Sequence, residues 1–272
     1  MNAKVILITG ASSGIGESAA KRLLEAGHTV YAAARRTERM QALADAGAHL
    51  LKMDVTDDES MQQGVDTILK EQGRIDVLVN NAGYGFYGAL ETVPIDEARK
   101  QFEVNVFGLA RLCQLVIPGM RERKDGRIVN IASMAGHFCE PHGDWYHATK
   151  YAVVGLNDCM RMDIRNLGIK VVKIEPGAIC SEWADIATGN MLKVSEGTVY
   201  EKGARKQAEL YRFAYKHFGT PADKIGRTIY KACTARRPRL TYRRGFGASF
   251  LPALTHILPA RWFDALAISL FG

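Results

Sequence analysis

The chain has 272 residues, 47% of them hydrophobic and 24% charged, and 36 Lys+Arg against 29 Asp+Glu leave a net charge of +7. That is the balance of an ordinary globular protein able to bury most of its apolar surface, and it excludes disordered, collagen-like and disulfide-scaffold chains. At roughly 150 residues per domain the length suggests two domains, and a pI near 9.1 suggests an anionic partner without saying which.

The cysteines Cys113, Cys139, Cys159, Cys180 and Cys233 are widely spaced and form no CxxC pair. Neither a zinc site nor a disulfide framework is expected, no metal is implied, and a reducing cytoplasm fits. The apolar run Val5 to Ile8 is too short for a signal peptide or a membrane span.

In chain order, residues 4–9, 28–33, 48–53, 75–79, 127–132 and 169–175 form short runs rich in Val, Ile and Leu. They are apolar on both faces, as buried parallel strands must be. Helical patterns lie between them near 15–26, 38–46, 58–72, 96–123 and 145–167. Such alternation predicts an α/β fold with a doubly wound parallel sheet, of Rossmann type, and right-handed crossovers. After Pro176-Gly177 the rhythm breaks. Residues 182–218 read as an irregular or helical insertion, 221–236 as a helix, 238–242 as a last strand, and helical pieces close the chain. No Pro/Gly/Ser-rich linker separates self-sufficient halves, so residues 1–272 read as one domain.

The first strand runs into Thr9-Gly10-Ala11-Ser12-Ser13-Gly14-Ile15-Gly16 and then a helix. Glycines let the backbone approach a ligand, and N–H groups at a helix N-terminus favour a pyrophosphate. The GxxxGxG spacing is a relative of the dinucleotide GxGxxG, in the strand–turn–helix context that fingerprint requires. Read alone, the segment is also compatible with a plain glycine-rich turn. No Gly-Lys-Ser/Thr follows, which argues against an ATP loop. The second strand ends in Ala33-Ala34-Arg35-Arg36, where NAD-binding chains usually carry an acid for the ribose 2′-OH. Two guanidinium groups there suit a 2′-phosphate, so NADP(H) is expected over NAD(H).

Tyr146 and Lys150 stand at i and i+4, on one face of the 145–167 helix. Ser133 ends the fifth strand, Asn105 falls in the 96–123 helix, and Asn80-Asn81-Ala82-Gly83 follows the fourth strand. With these residues in this order, together with Asp54, Pro176-Gly177 and Ser181, the chain over about residues 4–181 resembles the short-chain dehydrogenase/reductase family. Residues 182–272 also resemble the branch that holds 17β-hydroxysteroid and retinol dehydrogenase-like enzymes.

The resemblance implies a catalytic set of Asn105, Ser133, Tyr146 and Lys150. Tyr146 would be the general acid in carbonyl reduction and the base in alcohol oxidation, its phenolate favoured by Lys150. Ser133 would hold the substrate oxygen, and Asn105 a water connecting Lys150 to solvent. Cofactor contacts would come from Gly10, Ser12, Ser13, Gly14, Ile15, Gly16, Arg35, Arg36, Asp54, Val55, Asn81, Ala82 and Gly83. At the nicotinamide end they would come from Tyr146, Lys150, Pro176, Gly177, Ile179 and Ser181, the last standing where the family usually has Thr. Residues 4–181 would then be the cofactor-binding and catalytic core, and 182–272 a substrate lid with a C-terminal extension.

Residues 84–88, 137–145 and the insertion should shape the substrate site. Trp183, Tyr200, Tyr211, Phe213 and Tyr215 in the insertion point to a bulky lipophilic ketone or alcohol. Leu258, Trp262, Leu266 and Leu270, joined by Phe263, form a helical apolar stripe expected to dock on its own domain or a second subunit rather than a membrane surface. A homodimer or homotetramer is expected. Residues 193–245 hold 14 Lys/Arg and 4 Asp/Glu, which keeps open a non-catalytic NADPH-sensing or nucleic-acid-binding regulator as the alternative. No nucleic-acid module accompanies that charge, so no nucleic-acid partner is expected.

Overall fold

The computed structural model describes residues 3–180 and 182–271. In chain order the elements begin with β1 (Val5–Thr9), α1 (Gly14–Glu25), β2 (Thr29–Ala34), α2 (Gln41–Asp45), β3 (His49–Lys52), α3 (Asp58–Gln72) and β4 (Val77–Asn80). They continue with α4 (Ile95–Phe102), α5 (Gly108–Glu122), β5 (Gly126–Ile131), α6 (Asp144–Ile164), β6 (Ile169–Pro176) and β7 (Ile179–Cys180). The last are α7 (Glu182–Ser195), α8 (Glu201–Phe218), β8 (Thr220–Pro221), α9 (Ala222–Thr234), β9 (Thr241–Arg244), α10 (Phe250–Ile257) and α11 (Ala260–Phe271).

Alternation along β1 sets the layering. Val5 and Leu7 point to one face, Ile6 and Ile8 to the other, and all four are buried, so helices must cover both sides. On the first face, Met61, Val65, Leu112, Val116 and Val153 from α3, α5 and α6 close the core. On the second, Ala19, Ala20 and Leu23 of α1 meet Ile225 and Ile229 of α9. Each such large aliphatic side chain contributes about 1.5–3 kcal/mol by leaving water.

Seven strands form one sheet in the order β3-β2-β1-β4-β5-β6-β9, every pair parallel. The winding reverses between β1 and β4. Sheets of this kind open a ligand crevice there, beyond the carboxyl ends of the strands. β7 and β8 pair separately at the same end.

The differences from the sequence reading have physical reasons. The run expected as one helix over 96–123 is α4, a π-turn at Glu103–Phe107, and α5. One extra residue in a turn does not disturb the apolar period enough to show. The last strand lies at Thr241–Arg244 rather than 238–242, because main-chain pairing to β6 continues through the polar Arg243 and Arg244. The insertion takes its helical form, as α7 and α8.

The C-terminal stripe is turned by one residue. Phe263, Ala267 and Phe271 face inward, with Phe263 against Phe138 and Phe271 against Tyr211. Trp262, Leu266 and Leu270 remain 69%, 39% and 44% exposed, so they do not dock on their own chain. Among the described residues no helix is long and apolar enough to cross a membrane.

At the end of β6, Glu175 is fully buried and accepts from His137 Nε2 at 2.7 Å and Arg243 Nε at 2.8 Å, with Lys173 Nζ at 3.3 Å. Burial alone would raise its carboxyl, but the His137 and Arg243 hydrogen bonds and the Lys173 charge outweigh burial and hold it at about 2. The folded value lies below the unfolded one of about 4.3, so this stabilisation is complete above that pH and is lost as pH falls through 2. Glu175→Gln should cost about 3 kcal/mol at pH 7 by stranding its cations. In acid titrations followed by circular dichroism, the variant should lack that part of the wild-type stability loss between pH 4.5 and 2.

Candidate active site

The phosphate end is built by a cross-strand staple. Thr9 Oγ1 accepts the N–H groups of Asn81 and Ala82 at 3.1 and 3.0 Å, while Asn81 Nδ2 donates to Thr9 O and Gly10 O at 3.0 and 3.1 Å. The segment after β4 is thereby tied to the turn after β1. Gly10 has φ +65°, and a Cβ on Gly16 would lie 2.4 Å from Gly10 O and 2.5 Å from Asn81 Nδ2. Two glycines of the motif therefore answer a packing demand, whatever the turn binds. Gly83 follows the staple with Asn105 Oδ1 beside it.

Ser13, the residue that caps α1, is extended and makes no side-chain capping bond. The Ser13 hydroxyl, the adjoining Ser12 and the first-turn N–H groups from Gly14 and Ile15 onward form an anion-seeking donor set. A dinucleotide pyrophosphate fits it. Arg35 and Arg36 follow β2, both exposed, and neither has an ion-pair partner among the described residues. Asp54 is fixed by its own turn: Oδ1 accepts the N–H and hydroxyl of Thr56 at 3.0 and 2.8 Å. Val55 follows it, with its carbonyl packed on Gly108 at the start of α5.

At the reactive end, Ser133 leaves β5 and turns, its Oγ accepting from Ala135 N–H at 3.1 Å. One helical turn of α6 separates Tyr146 from Lys150, which are 8% and 7% exposed. Lys150 Nζ donates to Ile131 O at 3.4 Å and stands 5.7 Å from the Tyr146 ring centre. Burial pulls the Lys150 ammonium down to about 8. Burial pushes the Tyr146 phenol well up, and the Ser133 hydroxyl offsets this in part. Tyr146 is thus a neutral phenol around neutral pH, beside a cation.

Asn105 sits in the π-turn with its side chain fully engaged. Its amide donates to Tyr84 O at 2.8 Å and Thr149 Oγ1 at 3.0 Å, and its Oδ1 accepts from Tyr84 N–H at 2.8 Å. The Asn105 side chain thereby locks the loop after β4 to α6.

Pro176 ends β6, Gly177 N–H donates to Arg244 O at 2.9 Å, and Ile179 is buried where β7 meets β8. Ser181 lies outside the described residues.

The segments expected to shape the substrate side, 84–88, 137–145 and the insertion, supply aromatic walls beside Tyr146. The Trp183 and Tyr87 rings lie 5.0 and 5.4 Å from that of Tyr146, and Tyr211 lies 6.1 Å from Tyr87. Glu140 stands among them, its side chain 6% exposed. It belongs to a loop with no hydrophobic period, and nothing in the sequence announces that a lone acid there turns inward.

With this geometry in place, comparison with known proteins is direct. Residues 4–188 match the short chain dehydrogenase family model, and the chain belongs to that family of oxidoreductases. It is 40% identical to a 3-ketodihydrosphingosine reductase of Bacteroides thetaiotaomicron, over 68% of this chain and 67% of that one. It is 30% identical to an NADPH-dependent 3-dehydrocapnine reductase of Ornithobacterium rhinotracheale, over 96% and 94% of the two chains. A short-chain dehydrogenase structure from Streptomyces avermitilis superposes with a TM-score of 0.81 at 32% identity, covering 98% of both chains. None of these three supports the steroid and retinol branch in particular.

The Lys150 environment has a measurable cost. Its folded value of about 8 lies below the ordinary 10.5, so the folded chain holds fewer protons than the unfolded chain between them. Stability from this group rises with pH through that window and is lowest below it, by up to roughly 3 kcal/mol. Lys150→Met should therefore raise Tm at pH 7 by several degrees, at about 2–4 °C per kcal/mol for a chain of this size. Calorimetry between pH 7 and 10.5 should show the gain shrinking as the wild-type lysine loses its proton.

Proposed function

We propose that this chain is an NADP(H)-dependent reductase of a long-chain ketone, with Tyr146 as proton donor. The observation that carries the reading is the buried pair Tyr146–Lys150 beside Ser133, on the same sheet edge as an uncapped helix N-terminus and two exposed arginines. Ser133 and Tyr146 hold the substrate oxygen, stabilising the charge that develops on it. The nicotinamide, when bound, supplies the hydride chemistry. Tyr146 gives its proton to that oxygen, completing the alcohol, and Lys150 steadies the phenolate that remains. A neutral buried phenol is the state this direction requires. The water that would link Lys150 to solvent at Asn105 falls to its main chain in this reading, since the Asn105 side chain is occupied.

Gly10, Ser12, Ser13, Gly14, Ile15 and Gly16 take the pyrophosphate, and Arg35 and Arg36 the 2′-phosphate. Asp54 and Val55 flank the adenine, Asn81, Ala82 and Gly83 the adjoining ribose, and Lys150 the nicotinamide ribose. Pro176, Gly177 and Ile179 face the carboxamide. The NADPH-dependent relative supports the cofactor choice. The two relatives are named as reductases of 3-ketodihydrosphingosine and 3-dehydrocapnine, and aromatic α7 and α8 beside Tyr146 suit a lipophilic substrate. The chain is read as one domain, a view supported by β9, which returns from beyond the insertion to complete the sheet. The regulator alternative is weakened because part of its basic stretch is neutralised locally, Arg205 by Glu201, Arg227 by Asp223 and Arg243 by Glu175.

Tyr146→Phe should lower kcat for ketone reduction by about 10²–10⁴-fold while NADPH still binds in fluorescence titration. Retention of turnover would remove Tyr146 from the mechanism. Arg35→Asp with Arg36→Asp should weaken NADPH binding by about tenfold to a hundredfold, as expected for charge-assisted bonds, with little effect on NADH. Wild-type protein that binds NADH more tightly than NADPH would refute the cofactor assignment.

A further inference from the structure

A lipophilic ketone does not account for Glu140. Its carboxylate is buried in an aromatic wall next to the proposed proton donor, and burying a charge costs several kcal/mol unless it is compensated. The loop that carries it is held at several points. Gln207 of α8 donates to Pro141 O at 3.0 Å and meets His142 Nδ1 at 2.7 Å, and Gly88 N–H donates to His142 O at 2.8 Å. His142 itself has φ +60°, uncommon for a residue with a Cβ. The fold thus accepts local strain and a buried charge together in presenting this acid.

The contacts that fix Glu140 are one-sided. Tyr87 OH at 3.3 Å, Tyr211 OH and His147 Nε2 at 3.5 Å all approach Oε1. Among the described residues none donates to Oε2. His147 Nδ1 lies 2.9 Å from Ala135 O, which directs its other nitrogen toward the acid. The Trp183 and Tyr211 rings lie 5.9 and 6.1 Å from that of Tyr87 and wall the acid with aromatic groups. A carboxylate with an unused oxygen, walled by aromatic rings, is the chemistry that recognises an ammonium ion. Tyr87, whose hydroxyl donates to Glu140, has its ring 5.4 Å from that of Tyr146, so the acid lies on the same side of the site as the proposed proton donor.

We infer that Glu140, with Tyr87, Trp183 and Tyr211, binds the ammonium of an α-amino ketone, and that this contact selects amino ketones over neutral long-chain ketones. The inference rests on Tyr146 acting on a long-chain ketone, and it assigns this chain's own selector residue.

The test compares 3-ketodihydrosphingosine with 1-hydroxyoctadecan-3-one, which lacks only the amino group, using the full chain and NADPH. The wild type should prefer the amino ketone at least tenfold in kcat/KM. Glu140→Gln should reduce that ratio at least tenfold, mainly through KM, and Glu140→Asp should restore part of it. No preference in the wild type, or an equal loss for both ketones in Glu140→Gln, would overturn the assignment and leave Glu140 a packing partner of His147. Calorimetry with dodecylamine and dodecan-1-ol separates the two claims. If neither ketone is reduced but the amine binds more tightly than the alcohol and loses that advantage in Glu140→Gln, the substrate reading fails and the cation site stands. If Glu140→Gln does not fold, the wild-type comparisons decide alone, and equal binding of amine and alcohol refutes the site.

Discussion

The site depends on removing one ammonium from water. Lys150 is buried with a single long bond to Ile131 O, and an ammonium so poorly compensated is destabilising unless the surrounding structure holds it there. What holds it is α6. Val153 and Ile164 anchor the helix in the core on one face of the sheet, and the same helix brings Tyr146 to the cation one turn away. Low polarity around the pair strengthens their mutual influence, and the sheet edge opens just beyond. The two effects share an origin, because the burial that keeps the Tyr146 phenol neutral is the burial that penalises the Lys150 ammonium.

Beneath the pair runs a buried ladder of amides that fixes the helix against the strands. Asn80 Nδ2 of β4 donates to Asn130 Oδ1 of β5 at 3.0 Å, and Asn130 Nδ2 donates to Asn157 Oδ1 of α6 at 3.2 Å. Asn157 donates to Asp158, which pairs with Lys173 of β6 at 2.9 Å. A one-residue slip of α6 would leave several of these buried groups unsatisfied, each at about 1–3 kcal/mol. Apolar packing alone tolerates small rotations of a helix, but this ladder does not. It converts a generic α/β core into one with Tyr146 and Lys150 in a single register.

The cofactor end was legible in the sequence because backbone geometry leaves it few choices. Gly10 needs a positive φ and Gly16 a missing Cβ, so their spacing appears as a motif. The strands were legible for a similar reason: burial on both faces produces uninterrupted Val, Ile and Leu. The stripe at the C-terminus misled, because Trp262, Leu266 and Leu270 have the same period as Phe263, Ala267 and Phe271 and only the fold decides which row turns inward. Tyr87 and Glu140 fall within the segments 84–88 and 137–145 that were expected to shape the substrate site, but neither is marked individually, since a site assembled from separate loops has no period to read. The +7 charge was readable only in part: Arg35 and Arg36 are exposed and free of ion pairs among the described residues, while Arg22 and Arg39 are taken up by Asp223 and Glu182.

Asn105 shows why motif and role should be kept apart. Its position in the family pattern suggests only that it holds a water, while its side-chain amide joins the loop after β4 to Thr149. Thr149 in turn donates to Tyr146 O, so the asparagine bears on Tyr146 through its backbone. The same holds for Asn81, which binds the turn after β1 before any ligand arrives. In both cases a polar side chain shapes the main chain, and the main chain then presents the N–H or C=O that a ligand or water can use. The spacing of the motif is therefore set by the fold's internal hydrogen bonds as much as by the chemistry, which is why replacing such an asparagine disturbs geometry before it removes any contact to substrate.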